Sequence, residues 1–251
     1  ATPGRILDLM EQNALSLDHL ETLIIDEADK MFQLGFEEEL QKILKTIPAN
    51  CQHILFSATL NDKVETIKKT LNVAFETIEI EKQAETAEAI VQTAYYLTPE
   101  RKGPFLRYLL KADQTIQTLV FVSSTRTADN LTAKLVKNGI KATALHSKKT
   151  QGARNKALED FKDGKVQVLV ATDLLARGIH IDLLPVVINY ELPRSPLDYV
   201  HRIGRTGRAS EKGIAITLLT LDDMHHFKII QKKMKHCVEV LPTDEVNLQG
   251  Y

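Results

Sequence analysis

The stretch Thr118-Leu119-Val120-Phe121-Val122-Ser123-Ser124-Thr125 decides how the chain is read. A fully apolar run ends abruptly in hydroxyl side chains, and apolar residues at helical spacing follow over 126–138. An apolar strand passing through a polar turn into a helix is the repeating unit of a parallel sheet covered on both faces. The same unit recurs on either side. Downstream, strands are expected at 142–145, 166–170, 186–190 and 213–218, with helices at 151–163, 195–204 and 222–235. Upstream, 91–97 reads as a strand and 100–112 as its helix. Nearer the N-terminus, strands are expected at 22–25, 53–56 and 76–80, separated by helices at 36–46 and 61–71.

This alternation defines an α/β chain of two lobes. The polar stretch Glu81-Lys82-Gln83-Ala84-Glu85-Thr86-Ala87-Glu88 has no core-forming pattern and serves as the linker. The first lobe takes residues 1–82, the linker 83–90, the second lobe 91–241, and 242–251 form a tail with no readable address. With about three strands the first lobe is incomplete; the second is complete. A start at Ala1-Thr2-Pro3-Gly4-Arg5, turn-like and without Met, reads as a chain cut from something longer.

Composition narrows the function. Of 251 residues, 43% are hydrophobic and the formal charge is −1, which excludes a disordered chain and a globally basic nucleic-acid binder but not a local basic groove. Cys51 and Cys237 stand apart from any CxxC or His/Cys cluster, so they read as buried free thiols and suggest a reducing compartment. No apolar run approaches the roughly 20 residues that span a bilayer, so no membrane partner is expected. The setting expected is cytoplasmic.

Ligands of parallel sheets bind beyond the carboxyl ends of the strands, where the polar clusters of this chain fall. Ile24-Ile25-Asp26-Glu27-Ala28-Asp29 is a strand running into carboxylates, which can hold a magnesium–phosphate unit and orient a water. A solvated acidic helix start reads equally well from these residues alone. In Tyr199 to Arg208 the arginines Arg202, Arg205 and Arg208 recur every third residue and would share one side of a helix, where guanidinium forks suit phosphate oxygens. Gly204 and Gly207 weigh against a plain basic surface helix. Ser57-Ala58-Thr59 reads alone as a turn with an N-cap, and so does Ser123-Ser124-Thr125, though such a terminus also offers N–H groups to a phosphate. His146 reads as a packed or exposed histidine rather than a catalytic one.

Taken in order, several strings resemble the DEAD-box ATP-dependent RNA helicases: Thr2-Pro3-Gly4-Arg5, Asp26-Glu27-Ala28-Asp29, Ser57-Ala58-Thr59, 119–125, Gln151-Gly152-Ala153-Arg154, Val170-Ala171-Thr172-Asp173 with Ala176-Arg177-Gly178, and His201 through Arg208. Each is weak alone; their order and spacing carry the likeness, which covers positions 1 to about 240. The resemblance implies two RecA-like lobes, with ATP and Mg2+ between them and single-stranded or duplex RNA held through its backbone. It implies that Asp26 holds magnesium through water and that Glu27 activates the hydrolytic water. Asp29, Ser57, Thr59 and His201 would couple the lobes, and Arg205 and Arg208 would be arginine fingers. Asp173, Gly178 and His180 would contact nucleotide, while Thr2, Gly4, Arg5, Arg154 and Thr172 would contact the RNA backbone.

Two departures from the family bear on activity. No GxxxxGK[ST] loop occurs anywhere in the 251 residues, so the chain alone is expected to bind ATP poorly and hydrolyse it negligibly. His180 stands where the family places Asp; a neutral imidazole keeps one hydrogen bond there. The function expected is an RNA-stimulated ATPase that unwinds short duplexes, here without its phosphate loop. The alternatives are a non-catalytic RNA-binding or scaffold module of the same fold, and an unrelated α/β nucleotide hydrolase.

Overall fold

The computed structural model describes residues 1–33, 35–57, 62–71, 73–79, 90–173, 184–207 and 212–251. The chain divides into two compact units, Ala1–Glu81 and Lys82–Tyr251.

In the first unit, α1 (Pro3–Glu11) precedes β1 (Thr22–Ile25), α2 (Ala28–Gln33), α3 (Glu37–Leu44), β2 (Gln52–Leu55) and α4 (Asp62–Leu71). The two strands pair in parallel, Ile24 opposite Ile54 and Ile25 opposite Leu55. One face of this small sheet is packed: Ile25, Ala28, Leu40, Val64 and Ile67 form a buried cluster. The other face is open, with Ile24 59% and Phe56 55% exposed.

Three expectations are corrected here. Cys51 is buried as a free thiol, but Cys237 is exposed, in the segment that follows the helix at 223–234. The strand expected at 76–80 is absent over its described residues 76–79, which join no sheet and leave Ile78 83% exposed. A local alternation of apolar and polar residues makes no strand without a neighbouring ladder to satisfy its N–H and C=O groups. The turn expected at Thr2-Pro3-Gly4-Arg5 is instead the entry to α1, with Thr2 extended at the cap and Pro3 at the first helical position. Proline fits there because its fixed φ suits a helix and its missing N–H would be unpaired anyway.

The second unit contains β3 (Ile90–Tyr96), α5 (Pro99–Ala112), β4 (Thr118–Val122), α6 (Thr125–Lys137), β5 (Ala142–Leu145), α7 (Gln151–Lys162), β6 (Val168–Thr172), β7 (Val186–Asn189), α8 (Pro196–Ile203), β8 (Gly213–Leu219), α9 (Asp223–Met234) and β9 (Val240–Pro242). The seven strands run parallel in the order β5-β6-β4-β7-β8-β3-β9. Every residue of β4 and β6 is buried, as strands covered on both faces must be. One face packs Phe105, Leu106 and Leu110 of α5 with Ala128, Leu131 and Leu135 of α6. The opposite face packs Ala157 and Phe161 of α7 at one end, and Tyr199, Ile203, Phe227 and Ile230 of α8 and α9 at the other.

The residues after Leu241 belong to this packing. Thr243 Oγ1 donates to the Tyr96 carbonyl at 2.9 Å, and Arg101 Nη2 donates to the carbonyls of Thr243 (2.7 Å) and Val246 (2.9 Å). Val246 and Leu248 lie against the α5–α6 core.

Candidate functional site

In the first unit the site is a turn. Past β1 the ladder continues one step: Phe56 N donates to Ile25 O (2.8 Å) and Ala28 N to Phe56 O (3.0 Å). These bonds hold the chain on either side of Asp26 and Glu27, and Glu27 closes the turn with φ of +49°. That left-handed conformation costs a residue with a Cβ roughly 1–2 kcal/mol. Asp26 Oδ1 accepts from Glu27 N at 2.8 Å, which steadies the turn. Both carboxylates emerge exposed, whereas Ala28 and Asp29 are buried beneath them and Ser57 is half-buried just past β2.

Among the described residues no group of three or more His, Cys, Asp or Glu side chains could hold a metal. This donor set does suit magnesium, which keeps most of its waters and takes one or two carboxylates beside substrate phosphates.

The other residues expected in this unit lie on α1. Thr2 is its cap, with a carbonyl that accepts from Arg5 N (3.0 Å) and Ile6 N (3.1 Å). Gly4 has open space where a Cβ would be, and exposed Arg5 is ion-paired with Asp8. Thr59 lies outside the described residues.

In the second unit the site is built around a buried arginine. Arg202, 2% exposed near the end of α8, donates from Nε to Asp173 Oδ1 (2.6 Å) and from Nη2 to Asp173 Oδ2 (2.8 Å). Its Nη1 donates to Asn189 Oδ1 (3.1 Å) and to the Glu191 carbonyl (2.6 Å), and the guanidinium lies 4.9 Å from the centre of the Phe121 ring. A planar fork suits such a site because it satisfies both carboxylate oxygens at once. Four elements thereby meet: the carboxyl ends of β4, β6 and β7, and α8. Glu191 Oε2 in turn accepts from Ser123 N at 2.6 Å. Beside this network, burial pushes the Tyr199 hydroxyl up to about 12, and that hydroxyl shares a hydrogen bond with Thr217 Oγ1 at 3.1 Å.

Arg202 and Arg205 do not share a helix face. Arg202 points into the core, and α8 ends at Ile203 with Gly204 as its cap. Arg205 sits in the turn beyond, half-exposed, its backbone tied back to Arg202 O (3.2 Å) and its carbonyl accepting from Leu184 N (3.0 Å). A three-residue repeat lies along one side only while helical geometry persists, and it stops at Gly204. Thr206, fully buried, closes the turn by donating to the Leu184 carbonyl, and a side chain on Gly213 would collide with it. Arg208, Gly178 and His180 lie outside the described residues.

Thr172 ends β6 and is buried, adjacent to Asp173. Arg154 lies in the first turns of α7, which Thr150 caps by accepting from Ala153 N at 3.3 Å; its buried Nε has no hydrogen-bond partner. His146 is buried, with Nε2 at 3.0 Å from Asp129 Oδ1, and Lys149 Nζ reaches the same oxygen at 2.8 Å.

Sequence reasoning left two buried cations without a role. Arg202 was visible only as one of three arginines; its pairing with Asp173, 29 positions away, has no local signal. Lys102 of α5 is buried 3.5 Å from Asp223 and 5.4 Å from the centre of the Tyr190 ring, and burial pulls its ammonium below the ordinary lysine range despite that carboxylate.

Parallel sheets packed on helices, with exposed acids at a strand end in one unit and an arginine-organised cluster in the other, fit the RecA-like class of α/β fold. Two family descriptions match the chain, "DEAD/DEAH box helicase" over residues 1–67 and "Helicase conserved C-terminal domain" over residues 101–210. The ATP-dependent RNA helicase CshA of Listeria monocytogenes is 40% identical over 96% of this chain and 46% of its own length. The ATP-dependent RNA helicase cgh-1 of Caenorhabditis elegans is 35% identical, over 96% of this chain and 56% of its own. The structure of S. cerevisiae Dbp5 bound to RNA and ADP BeF3 superposes with a TM-score of 0.85 at 32% identity, over 97% of this chain and 65% of that one. The chain belongs to the DEAD-box RNA helicase family. It spans about half the length of the curated relatives it matches. No helix among the described residues is long and apolar enough to cross a membrane.

Proposed function

We propose that this chain is the part of an RNA-stimulated ATPase that positions the hydrolytic water and supplies the arginine fingers, in a protein that separates short RNA duplexes. The observation that supports this most is the turn past β1, which leaves the adjacent Asp26 and Glu27 carboxylates exposed at the carboxyl end of a parallel strand, where a metal-bound phosphate and a water can be reached. Asp26 would hold magnesium through its waters, and the ion supplies charge neutralisation at the phosphates. Glu27 takes a proton from the attacking water. Arg205 and Arg208 stabilise charge on the transferred phosphoryl group, a role worth about 10³–10⁵ in rate in related enzymes, or roughly 4–7 kcal/mol. Asp29, Ser57, Thr59 and His201 couple the two units, and Asp173, Gly178 and His180 line the nucleotide. Arg202 holds both oxygens of Asp173 and so fixes the strand end from which Asp173 would reach the nucleotide.

Thr2, Gly4, Arg5, Arg154 and Thr172 hold the RNA backbone, a mode that reads no base sequence. The site of action is cytoplasmic. A second reading, an RNA-binding module without turnover, is favoured for these 251 residues by themselves because they contain no GxxxxGK[ST].

Steady-state phosphate release with and without RNA, on the longest natural form and on this chain, tests both readings. RNA-stimulated turnover in the long form, lost in Glu27→Gln while RNA affinity holds, is the expected result. Turnover that survives Glu27→Gln overturns the catalytic assignment, and turnover by the 251-residue chain comparable to the long form overturns its reading as inactive alone.

A further inference from the structure

The chain's near-zero net charge hides a strong segregation. Residues 1–81 carry 7 Lys and Arg against 15 Asp and Glu, and residues 82–251 carry 25 against 18. Within the second unit the excess concentrates on one flank: residues 125–167, which comprise α6, β5 and α7, hold 10 basic and 4 acidic side chains. That segment wraps the outermost strand of the sheet, β5.

The basic residues occupy both ends of that edge. At the carboxyl end are exposed Lys148 and, on α7, Arg154. At the amino end, Lys134 and Lys137 occupy the last turn of α6, Lys141 leads into β5, and Lys162 occupies the last turn of α7. The Lys141 carbonyl accepts from Gln167 N (2.9 Å) and Val168 N (3.0 Å), which sets it beside the connection leaving α7. All four of these lysines are exposed, and among the described residues none has an acidic partner within ion-pair distance. The nearby acids Asp160 and Asp163 are already engaged by Lys165, at 3.8 and 2.8 Å.

Lysines in a last helical turn offset the helix dipole, which accounts for Lys134, Lys137 and Lys162 singly. It accounts neither for Lys141, which is not helical, nor for the gathering of four unmatched cations at one sheet end. Unmatched like charges repel, and a polyanion relieves that repulsion while releasing its own counterions.

We propose that the edge of β5 is a second RNA track: the strand held at Arg154 and Thr172 continues along α7 to the cluster of Lys134, Lys137, Lys141 and Lys162. This rests on the reading of Arg154 as an RNA-backbone contact and extends it. Four strand residues span roughly 13 Å, which at the duplex spacing of about 3.4 Å per strand would take about four phosphates and fewer in an extended single strand. RNA long enough to cover both ends of the edge therefore binds more tightly than RNA that covers only the first.

The test is fluorescence anisotropy of this chain with unstructured RNA of about 8 and about 20 nucleotides, titrated across salt concentrations. Lys134→Gln, Lys137→Gln and Lys141→Gln combined are expected to weaken the long RNA roughly tenfold at low salt and reduce its salt slope by about 2, leaving the short RNA unchanged. The matching triple Lys→Arg variant keeps the parent's long-RNA affinity, and thermal melting confirms that each variant is folded. Long-RNA affinity unchanged in the Gln variant overturns the track, as does an equal loss on short and long RNA, which would mark general electrostatics. If Arg154→Ala leaves short-RNA binding intact, the underlying contact fails first and the track loses its starting point, a result separable from the lysine series.

Discussion

The two units of this chain expose their functional groups by opposite means. In Ala1–Glu81, among the described residues, a two-stranded sheet over one buried cluster presents two exposed carboxylates on a left-handed turn held by backbone hydrogen bonds and by the Asp26 side chain. In Lys82–Tyr251 a seven-stranded sheet with three clusters fixes its strand ends through one buried guanidinium. The formal charges follow the same division, −8 against +7. Displaying a group on strain leaves it solvated and reactive, whereas locking a group with charge preserves the geometry around it.

The comparison can be broken in four places, beginning with the largest effect. In the longest natural form, Arg205→Ala is expected to lower RNA-stimulated turnover by about 10³–10⁵, measured as phosphate release, with little change in fold because Arg205 sits in a half-exposed turn. Next comes Arg202→Ala, which leaves Asp173 and the Glu191 carbonyl without their donor. Removing one partner of a buried pair costs about 3–5 kcal/mol, read as a lower urea midpoint for the second unit. Arg202→Lys keeps the charge but loses the fork, so only part of that stability should return.

The third variant reverses the sign. Glu27→Gly removes the left-handed strain and is expected to stabilise the first unit by about 1 kcal/mol in chemical denaturation while abolishing turnover in the longest form. A destabilised Gly variant would show that the turn is not strained.

The smallest effect is on acid stability. The Lys149 ammonium first, and the His146 ring beside it second, hold the exposed Asp129 carboxyl below the usual aspartate range. A carboxyl depressed in the folded state stabilises it above its unfolded value near 3.8 and loses that contribution as pH falls through the folded value. The parent should therefore lose more stability than Asp129→Asn on acidification below about pH 4, measured by thermal melting at each pH.

Much of the second unit was legible because its signals are local. The strand at 118–122 coincides with the observed β4, the apolar run of 142–145 with β5, and the helix expected at 151–163 with α7 to within a residue. An apolar run covered on both faces and a 3.6-residue period are properties of a dozen neighbouring residues, and they survive folding unchanged. The short strand at Val240–Pro242 escaped notice because three residues carry no period and exist only by pairing with β3. Residues 76–79 failed in the opposite way, holding an alternating pattern with no strand to pair with.

The same division applies to the site. Placing carboxylates and arginines at strand ends needed only the order of residues, because a parallel α/β chain returns each strand end to one edge. Deciding that Arg202 faces Asp173, that Arg205 leaves the helix at Gly204, and that Glu27 takes a left-handed turn required the folded chain. Order along the chain settles which side chains reach the sheet's carboxyl edge. Only packing settles which of them are buried against one another, because desolvation and pairing depend on atoms brought together from distant positions.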